Sequence, residues 1–349
     1  MKALKYILLF LLIIVVIGAI YLATLNGNYD VKRSALVKAE PEVVFNELND
    51  YKTWEVWGPW NEEDTTLVAE YPANTVGEGA SYTWTGKEGT GMMRTLKVEK
   101  PTRLDQEVVF NTPLGDMKSN VYWILEKVKE GTNVTWGMSG EMGFFTRWMA
   151  KSMEDQLGPM EARGLELLDA HIQKKVKVFS IENVGVVEYS GGYYLGTTMS
   201  GRIDEIGVKY PIMMLKMKAF IDENKVRTTG SPFTLYHKYD EVNGTAIYSV
   251  CYPVAEKMVT PLSSNVTSGL MPAGTYFKTI LKGGYENSDN AWKGAMEAAA
   301  KLTEYQTIEN GEPFEIYVNS PATTPNPADL ITEIYIPVQP KAITAVITE

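Results

Sequence analysis

The pattern of apolar and polar positions divides the chain into one long apolar run and two stretches of alternating segments. Residues 6–25 carry no charged side chain and are rich in Ile, Leu and Val. A helix needs about 20 such residues to cross a bilayer. We interpret residues 1–26 as a retained membrane anchor. A cleaved signal peptide is the alternative, although the apolar core of a signal peptide is usually about 7–15 residues long.

The charges around this run bear on its orientation. Lys2 and Lys5 precede it, which predicts a single-pass membrane protein with its N-terminus inside and its soluble body extracytoplasmic. Lys32, Arg33 and Lys38 follow the run closely and weaken that prediction.

After the anchor, the pattern changes to short alternating runs separated by turn residues, which is typical of an antiparallel sheet. A first strand over 31–37 is followed by a helix over 39–48 with Pro41 in its first turn. The pattern predicts further strands over 79–84, 91–98, 103–110, 118–125 and 132–138. A long helical stretch from 144 to about 174 then follows.

This order of elements resembles the helix-grip fold of the SRPBCC superfamily (START-like, polyketide-cyclase-like). The stretches that carry the resemblance are Ala39–Phe45, Trp54–Trp60, Gly77–Ala80 and Gly131–Trp136. The resemblance implies a domain over 29–174, in which a curved sheet wraps the long helix around an apolar cavity. The aromatic residues that we expect to line the cavity, or else to form ordinary core, are Trp84, Phe110, Trp123 and Trp136.

Three tryptophans crowd the loop after the first helix: Trp54, Trp57 and Trp60. Three indoles so close in sequence are hard to bury together. We therefore expect some of them to cap the cavity or to lie at the membrane interface, where tryptophan is enriched.

The last part of the chain contains an internal repeat. Gly230–Tyr236 (GSPFTLY) returns as Gly311–Tyr317 (GEPFEIY), and the segment from Thr245 returns in shortened form from Thr332. A unit of roughly 80 residues that recurs once indicates a pseudo-twofold domain rather than a solenoid. The predicted domain covers 175–339, each copy reads as β, α, β, β, and 340–349 is predicted to be a tail.

A duplicated unit of this kind resembles the GyrI-like (AraC-type) effector-binding domain. The residues that carry the resemblance are Pro313–Tyr317 and Leu330–Val338. The resemblance implies small-molecule binding, with ligand contacted by a glutamate on a late strand. Glu333 and Glu315 are the two positions that match, and the sequence does not rank them.

The two copies differ in their carboxylates. Glu315 and Glu333 stand where the first copy has Thr234 and Ser249. Because residues two apart share one face of a strand, Glu315 is expected beside Tyr317 and Glu333 beside Tyr335. We predict that both pairs project from the helix-free face of the sheet into one cleft. The alternative is that this face is wet and the pairs are ordinary surface composition.

Aromatic walls around a partly buried carboxylate favour flat, apolar or cationic ligands. Tyr285 and Trp292 in particular could equally be core residues instead of pocket walls. The candidate ligand-binding residues are Glu333, Glu315, Tyr317, Tyr335, Tyr285, Trp292, Tyr236 and Tyr189.

Composition limits the partners. The net charge of −10 and pI near 5.0 argue against nucleic-acid binding. Two histidines far apart and a single cysteine argue against a metal site, and the sequence carries no cofactor fingerprint. We expect neither metal nor cofactor.

The predicted fold class is α+β: a transmembrane helix, a helix-grip domain and a duplicated βαββ domain. The function favoured by the sequence is a membrane-anchored, non-enzymatic sensor or carrier of a small hydrophobic or cationic ligand, or of a lipid. The alternative is a hydrolase in which Glu315 or Glu333 activates water beside a tyrosine. A partner-binding scaffold is a third alternative.

Overall fold

The computed structural model describes residues 2–342, except 88, 113, 114, 241 and 262. The chain divides into two compact units, Met1–Lys175 and Val176–Glu349. Each unit combines one large antiparallel sheet with helices, so the predicted α+β class is confirmed. Pro340 ends the last strand, and 343–349, most of the predicted tail, lie outside the described residues.

The helices are α1 (Lys2–Thr24), α2 (Pro41–Asn49), α3 (Trp54–Trp57), α4 (Trp60–Glu63), α5 (Met153–Val176), α6 (Ile206–Glu223) and α7 (Ser288–Ala300). The strands of the first unit are β1 (Asn28–Val37), β2 (Val68–Glu70), β3 (Ser81–Gly86), β4 (Gly89–Glu99), β5 (Arg103–Thr112), β6 (Gly115–Val128) and β7 (Gly131–Glu141). Those of the second unit are β8 (Ser180–Tyr189), β9 (Gly192–Arg202), β10 (Phe233–Asp240), β11 (Thr245–Val254), β12 (Val266–Met271), β13 (Gly274–Lys282), β14 (Tyr305–Thr307), β15 (Phe314–Tyr317) and β16 (Ile331–Pro340). Short 3-10 helices include Phe144–Ser152 and Tyr285–Asn287.

Helix α1 is the N-terminal apolar run. Its segment Leu4–Thr24 has a mean hydropathy of 3.0 and is exposed except at Ala19 and Leu22, which are half-buried. Among the described helices it is the one long and apolar enough to cross a membrane, a test that a signal sequence also passes. The helix is therefore established, and its role as an anchor remains a prediction.

The sheet of the first unit runs in the order β1-β7-β6-β5-β4-β3-β2. Helix α5 lies against its inner face, because two glycines let the helix approach the strands closely. A Cβ at Gly158 would lie 2.1 Å from the Arg33 guanidinium, and one at Gly164 would lie 2.4 Å from the Trp136 ring. β1 and β7, the first and last strands of this unit along the chain, pair with each other, and α5 packs against their sheet, which gives the helix-grip arrangement.

Tryptophans fill much of the interior of this unit. Trp123 and Trp136 stack with ring centroids 4.6 Å apart, and both Trp54 and Trp57 pack edge-on against Trp123. All four are buried. The premise that indoles so close in sequence are hard to bury together fails for Trp54 and Trp57, because perpendicular ring packing accommodates several indoles at once. Trp60 alone of the three is half-buried.

The sheet of the second unit has twofold symmetry in its strand order, β12-β9-β11-β10-β15-β16-β13-β8, with β14 added beside β16. The repeats β9-α6-β10-β11 and β13-α7-β15-β16 meet at the central pair, β10 and β15. There Thr234 lies opposite Glu315. The pseudo-twofold duplication read from the sequence is thus present, and its axis passes beside Glu315.

Each repeat covers one face of this sheet with its helix. Helix α6 buries Met213, Met217 and Ile221, spaced four residues apart, against β9 and β11. Helix α7 does the same with three alanines against β13 and β16. The opposite face has its own aromatic core, which includes Phe233, Tyr276, Phe314 and Tyr335. Both faces of the central strands are therefore covered.

Candidate functional site

Three hydrogen-bond donors converge on the carboxylate of Glu315. The Tyr236 hydroxyl donates to Oε1 at 2.8 Å and the Tyr317 hydroxyl to the same oxygen at 2.6 Å. The Trp292 indole N–H donates to Oε2 at 2.9 Å. A carboxylate has about four acceptor positions, so three are occupied and one on Oε2 is left for another donor.

Elements from both repeats build this cluster. Glu315 and Tyr317 lie on β15, Tyr236 lies on β10, and Trp292 lies on α7. Helix α6 supplies Tyr210, whose ring centroid is 5.3 Å from that of Tyr317. The carboxylate thus lies near the pseudo-twofold axis, on the face that the two helices cover.

Further aromatic contacts complete the surroundings. The Tyr236 ring meets Trp292 at 5.4 Å and the Tyr285 ring meets Tyr317 at 5.6 Å, both nearly perpendicular. Glu315 is only 5% exposed, whereas Tyr285 is 37% exposed and forms the outer edge of the group. We call Tyr210, Tyr236, Tyr285, Trp292 and Tyr317 the aromatic cage.

The charge of Glu315 has no counterion in the described part of the chain. None of the ion pairs found there includes this residue, and all three of its partners are neutral. Burial and the nearby Glu315 carboxylate raise the pKa of both Tyr236 and Tyr317 well above the usual value, so both phenols stay protonated. Three donors facing one acceptor group suit an ionised carboxylate.

Tyr210 and Thr234 belong to the site but were not found by sequence reasoning. The Thr234 hydroxyl bonds the Tyr317 hydroxyl at 3.0 Å. The Tyr210 hydroxyl is buried and approaches both of these groups without good hydrogen-bond geometry. A tyrosine at the start of an otherwise Met-rich helix was the available signal for Tyr210.

Glu333 does not share this site. Because Ile316 lies opposite Glu333 on β16, whereas Glu315 lies opposite Ile334, the two glutamates project from opposite faces of the sheet. Ile334 packs on α7, so Glu315 faces the helices. The prediction that both acids enter one helix-free cleft was therefore wrong. Glu333 and Tyr335 lie on the helix-free face, as predicted. Glu315 and Tyr317 lie on the opposite face, which the helices cover.

The surroundings of Glu333 differ in charge from those of Glu315. The Lys278 ammonium lies 2.8 Å from Glu333 Oε1, and the Tyr335 hydroxyl donates to Oε2 at 2.7 Å. Lys278 also lies over the Tyr335 ring at 5.3 Å, and Tyr189 contacts that ring. Glu333 is thus neutralised within the protein. The eight candidate residues thus form two groups. One contains Glu315, Tyr317, Tyr236, Tyr285 and Trp292, and the other contains Glu333, Tyr335 and Tyr189.

A row of hydrogen bonds on the helix-free face joins Glu312, His237 and Ser249. His237 Nδ1 lies 2.8 Å from Glu312 Oε1, and its Nε2 lies 2.7 Å from Ser249 Oγ. A bulge in β10 at His237 aims the ring into this row. Ser249 is 2% exposed and also bonded to Thr198, so it is inaccessible as a nucleophile. We interpret the row as structural.

The first unit holds a second buried acid, Glu161 on α5. It is fully buried, and neither carboxyl oxygen has a hydrogen-bond partner of normal geometry, although the Met138 backbone comes near. Burial raises the pKa of Glu161 to about 8. Sequence reasoning missed it, but the signal was present, because Glu161 interrupts an apolar helix stripe between Leu157 and Leu165.

The aromatic residues predicted to line a cavity occupy two environments. Trp123 and Trp136 are fully buried in the stacked core, whereas Trp84 and Phe110 contact each other at 5.7 Å and are half-buried. An open groove of about 520 Å³ lies on the outer face of this sheet, lined by charged residues such as Lys32 and Arg103. It contains none of the candidates. Across the described residues, no three His, Cys, Asp or Glu side chains cluster closely enough to hold a metal ion.

Sequence families match both units. Residues 29–172 match the family described as polyketide cyclase / dehydrase and lipid transport, and 186–339 match the GyrI-like small molecule binding domain. None of the curated protein sequences matches significantly.

Solved structures resemble parts of the chain at low identity. The EcmrR C-terminal domain is 21% identical, covering 46% of this chain and 98% of its own, with a TM-score of 0.36. EcmrR in its DNA complex is 18% identical, covering 55% of this chain and 69% of its own, at 0.40. Protein MLL2253 from Mesorhizobium loti is 17% identical, covering 42% and 97%, at 0.31. The two family matches, rather than these distant structures, identify the chain: it joins a domain of the polyketide-cyclase and lipid-transport (SRPBCC) family to a GyrI-like small-molecule-binding domain, behind an N-terminal apolar helix.

Proposed function

We propose that the protein is a membrane-anchored, non-enzymatic sensor or carrier whose GyrI-like domain binds a small aromatic or alkyl cation at Glu315. The observation that supports this most is a buried carboxylate with three neutral donors and, among the described residues, no cation paired with it. A buried charge without a counterion is costly, and an organic cation supplies that counterion.

The aromatic cage supports the same ligand class. A cation over an aromatic face gains about 0.5–1 kcal/mol at exposed sites and about 2 kcal/mol or more when desolvated. Five aromatic rings surround the single carboxylate, and the outer one, Tyr285, is the most exposed of the five. In this structure the rings pack over Glu315, so ligand entry requires movement of an aromatic side chain, for which Tyr285 is best placed.

Glu333 gives a useful contrast. Lys278 already neutralises it, so the same argument assigns no cation to the helix-free face. Of the two glutamates that the family resemblance left unranked, the charge balance therefore favours Glu315. Glu333, Tyr335 and Tyr189 are proposed to stabilise the sheet rather than to contact ligand.

The hydrolase alternative loses support from the geometry. Two carboxylates on opposite faces of one sheet cannot act on the same substrate. Glu315 could still act alone, but three of its acceptor positions already hold hydrogen bonds. The expectation of a non-nucleic-acid partner continues to rest on the net charge of −10.

Binding can be tested on the full-length protein in detergent with tetraphenylphosphonium as the probe. Its charge-reversed isostere, tetraphenylborate, is the control for hydrophobic binding. A ligand that binds only the native state raises the melting temperature. We expect a saturable rise with the cation and none with the anion. Equal effects of the two ions, or no effect of the cation, would contradict the proposal.

A further inference from the structure

The 3-10 segment Phe144–Ser152 exposes large aromatic side chains. Phe144, Phe145 and Trp148 are 38%, 79% and 60% exposed, within five residues of one another. The interior tryptophans of the same unit, such as Trp54 and Trp123, are at most 1% exposed. A contiguous exposed apolar patch of this kind marks a contact surface.

The position of this segment indicates what it contacts, because it lies beside the end of α1. The Met142 N–H, just before the segment, donates to the Gly27 carbonyl at 2.8 Å. Along α1, Ala19 and Leu22 are half-buried, whereas nearly all the rest of the helix is exposed. At 1.5 Å per residue, Ala19 lies about 7 Å before Thr24, the last residue of the helix. If α1 spans a bilayer, the segment lies at the depth of the headgroups.

The chemistry of the segment matches that depth. Tryptophan and other aromatic residues are enriched at the membrane–water interface. The segment also carries cations: Arg147 lies over the Phe144 ring at 5.6 Å, and Lys151 is exposed. Basic side chains at this level favour contact with anionic lipid headgroups.

We propose that Phe144–Ser152 rests on the bilayer surface as a second membrane contact of the first domain, with Phe145 and Trp148 inserted among the lipid headgroups. This inference rests on the proposed role of α1 as a retained anchor. The tethered domain is then held against the membrane at two points instead of swinging on a single helix. The lipid-facing surface is this segment, and not the tryptophan loop whose Trp54 and Trp57 are buried.

The test uses the full chain reconstituted in vesicles of zwitterionic and anionic phospholipid. Phe145→Cys is labelled with an environment-sensitive fluorophore, and nitroxide-labelled lipids serve as quenchers. The native Cys251 does not interfere, because it is buried and burial raises the pKa of its thiol. The matched control is Val68→Cys. Val68 is 60% exposed on β2, at the opposite edge of the sheet from β1, which contacts the segment.

We expect lipid nitroxides to quench the Phe145→Cys label several-fold more than the Val68→Cys label. Equal quenching in vesicle-bound protein would overturn the inference and leave the anchor intact. A label shielded from aqueous iodide but not quenched by lipid would also overturn it, since that pattern indicates a protein contact. Flotation of the protein with the vesicles tests the membrane anchor separately. A full chain that does not float would overturn both the anchor and the membrane contact of Phe144–Ser152.

Discussion

Glu315 and Glu333 stand on adjacent strands of one sheet and project from its opposite faces. Glu315 lies opposite Ile334, which packs on α7, whereas Glu333 lies opposite Ile316. Within the part of the chain that the structure describes, the first acid is buried without a cation partner, whereas the second is paired with Lys278. Their surroundings therefore predict different consequences when each loses its charge.

Removing the charge of Glu333 should lower stability. In Glu333→Gln, Lys278 loses its ion pair, and both side chains are about one fifth exposed. We expect the free energy of unfolding to fall by about 1 kcal/mol, which is typical of a charged hydrogen bond that is only partly buried. Urea unfolding measures this, and Lys278→Met combined with Glu333→Gln should lose less than the two single changes added together. Additive losses would show that the pair is not coupled.

Glu161 should make stability fall as pH rises. Burial raises its pKa from 4.5 to about 8. Between those values the folded protein keeps a proton that the unfolded chain releases, so unfolding becomes easier with rising pH. At about 1.36 kcal/mol per pKa unit, the upper limit of the loss is about 5 kcal/mol. Thermal unfolding from pH 4.5 to 8.5 measures it.

The matched variant is Glu161→Gln, which keeps the size of the side chain and cannot ionise. We expect it to flatten the pH dependence and to be more stable than the native protein above pH 8. The same slope in both proteins would show that another group causes the dependence.

Two helix glycines should respond oppositely to alanine. A Cβ at Gly164 would lie 2.4 Å from Trp136, whereas one at Gly294 on α7 meets no atom within 4 Å. We expect Gly164→Ala to cost about 1–3 kcal/mol through overpacking. Gly294→Ala should gain about 0.5–1 kcal/mol, because alanine favours helix. The melting temperatures of the two variants measure this difference. A shift of both in the same direction would contradict the packing around the two glycines.

The sequence predicted the elements well where periodicity is strong. The repeated sequence around Pro232-Phe233 and Pro313-Phe314 predicted the duplicated sheet correctly, because both copies contain the residues that form the strands and turns. The prediction that Ile334 and Glu333 lie on opposite faces of β16, with Ile334 toward the helices, was also correct. In a long alternating segment, the sequence itself shows that the segment is a strand and which residues share a face.

The face of β15 could not be predicted in the same way. Parity assigns Phe314 and Glu315 to opposite faces but does not say which face the helices cover. The prediction that Glu315 projects from the helix-free face places Phe314 on the side of the helices. In the structure Phe314 is in the aromatic core of the other face, while Glu315 is also buried. A central strand covered on both sides needs its register to be known, and the 13 residues between β15 and β16 do not fix that register.

The central claim is that Glu315 is the counterion for a cationic ligand, and affinity for tetraphenylphosphonium in Glu315→Gln tests it most directly. Calorimetric titration of the full-length native protein, Glu315→Gln and Glu333→Gln gives the three dissociation constants. The account predicts at least about tenfold weaker binding for Glu315→Gln, or about 1.4 kcal/mol, with Glu333→Gln close to the native value. Native affinity in Glu315→Gln, or a loss confined to Glu333→Gln, would contradict it.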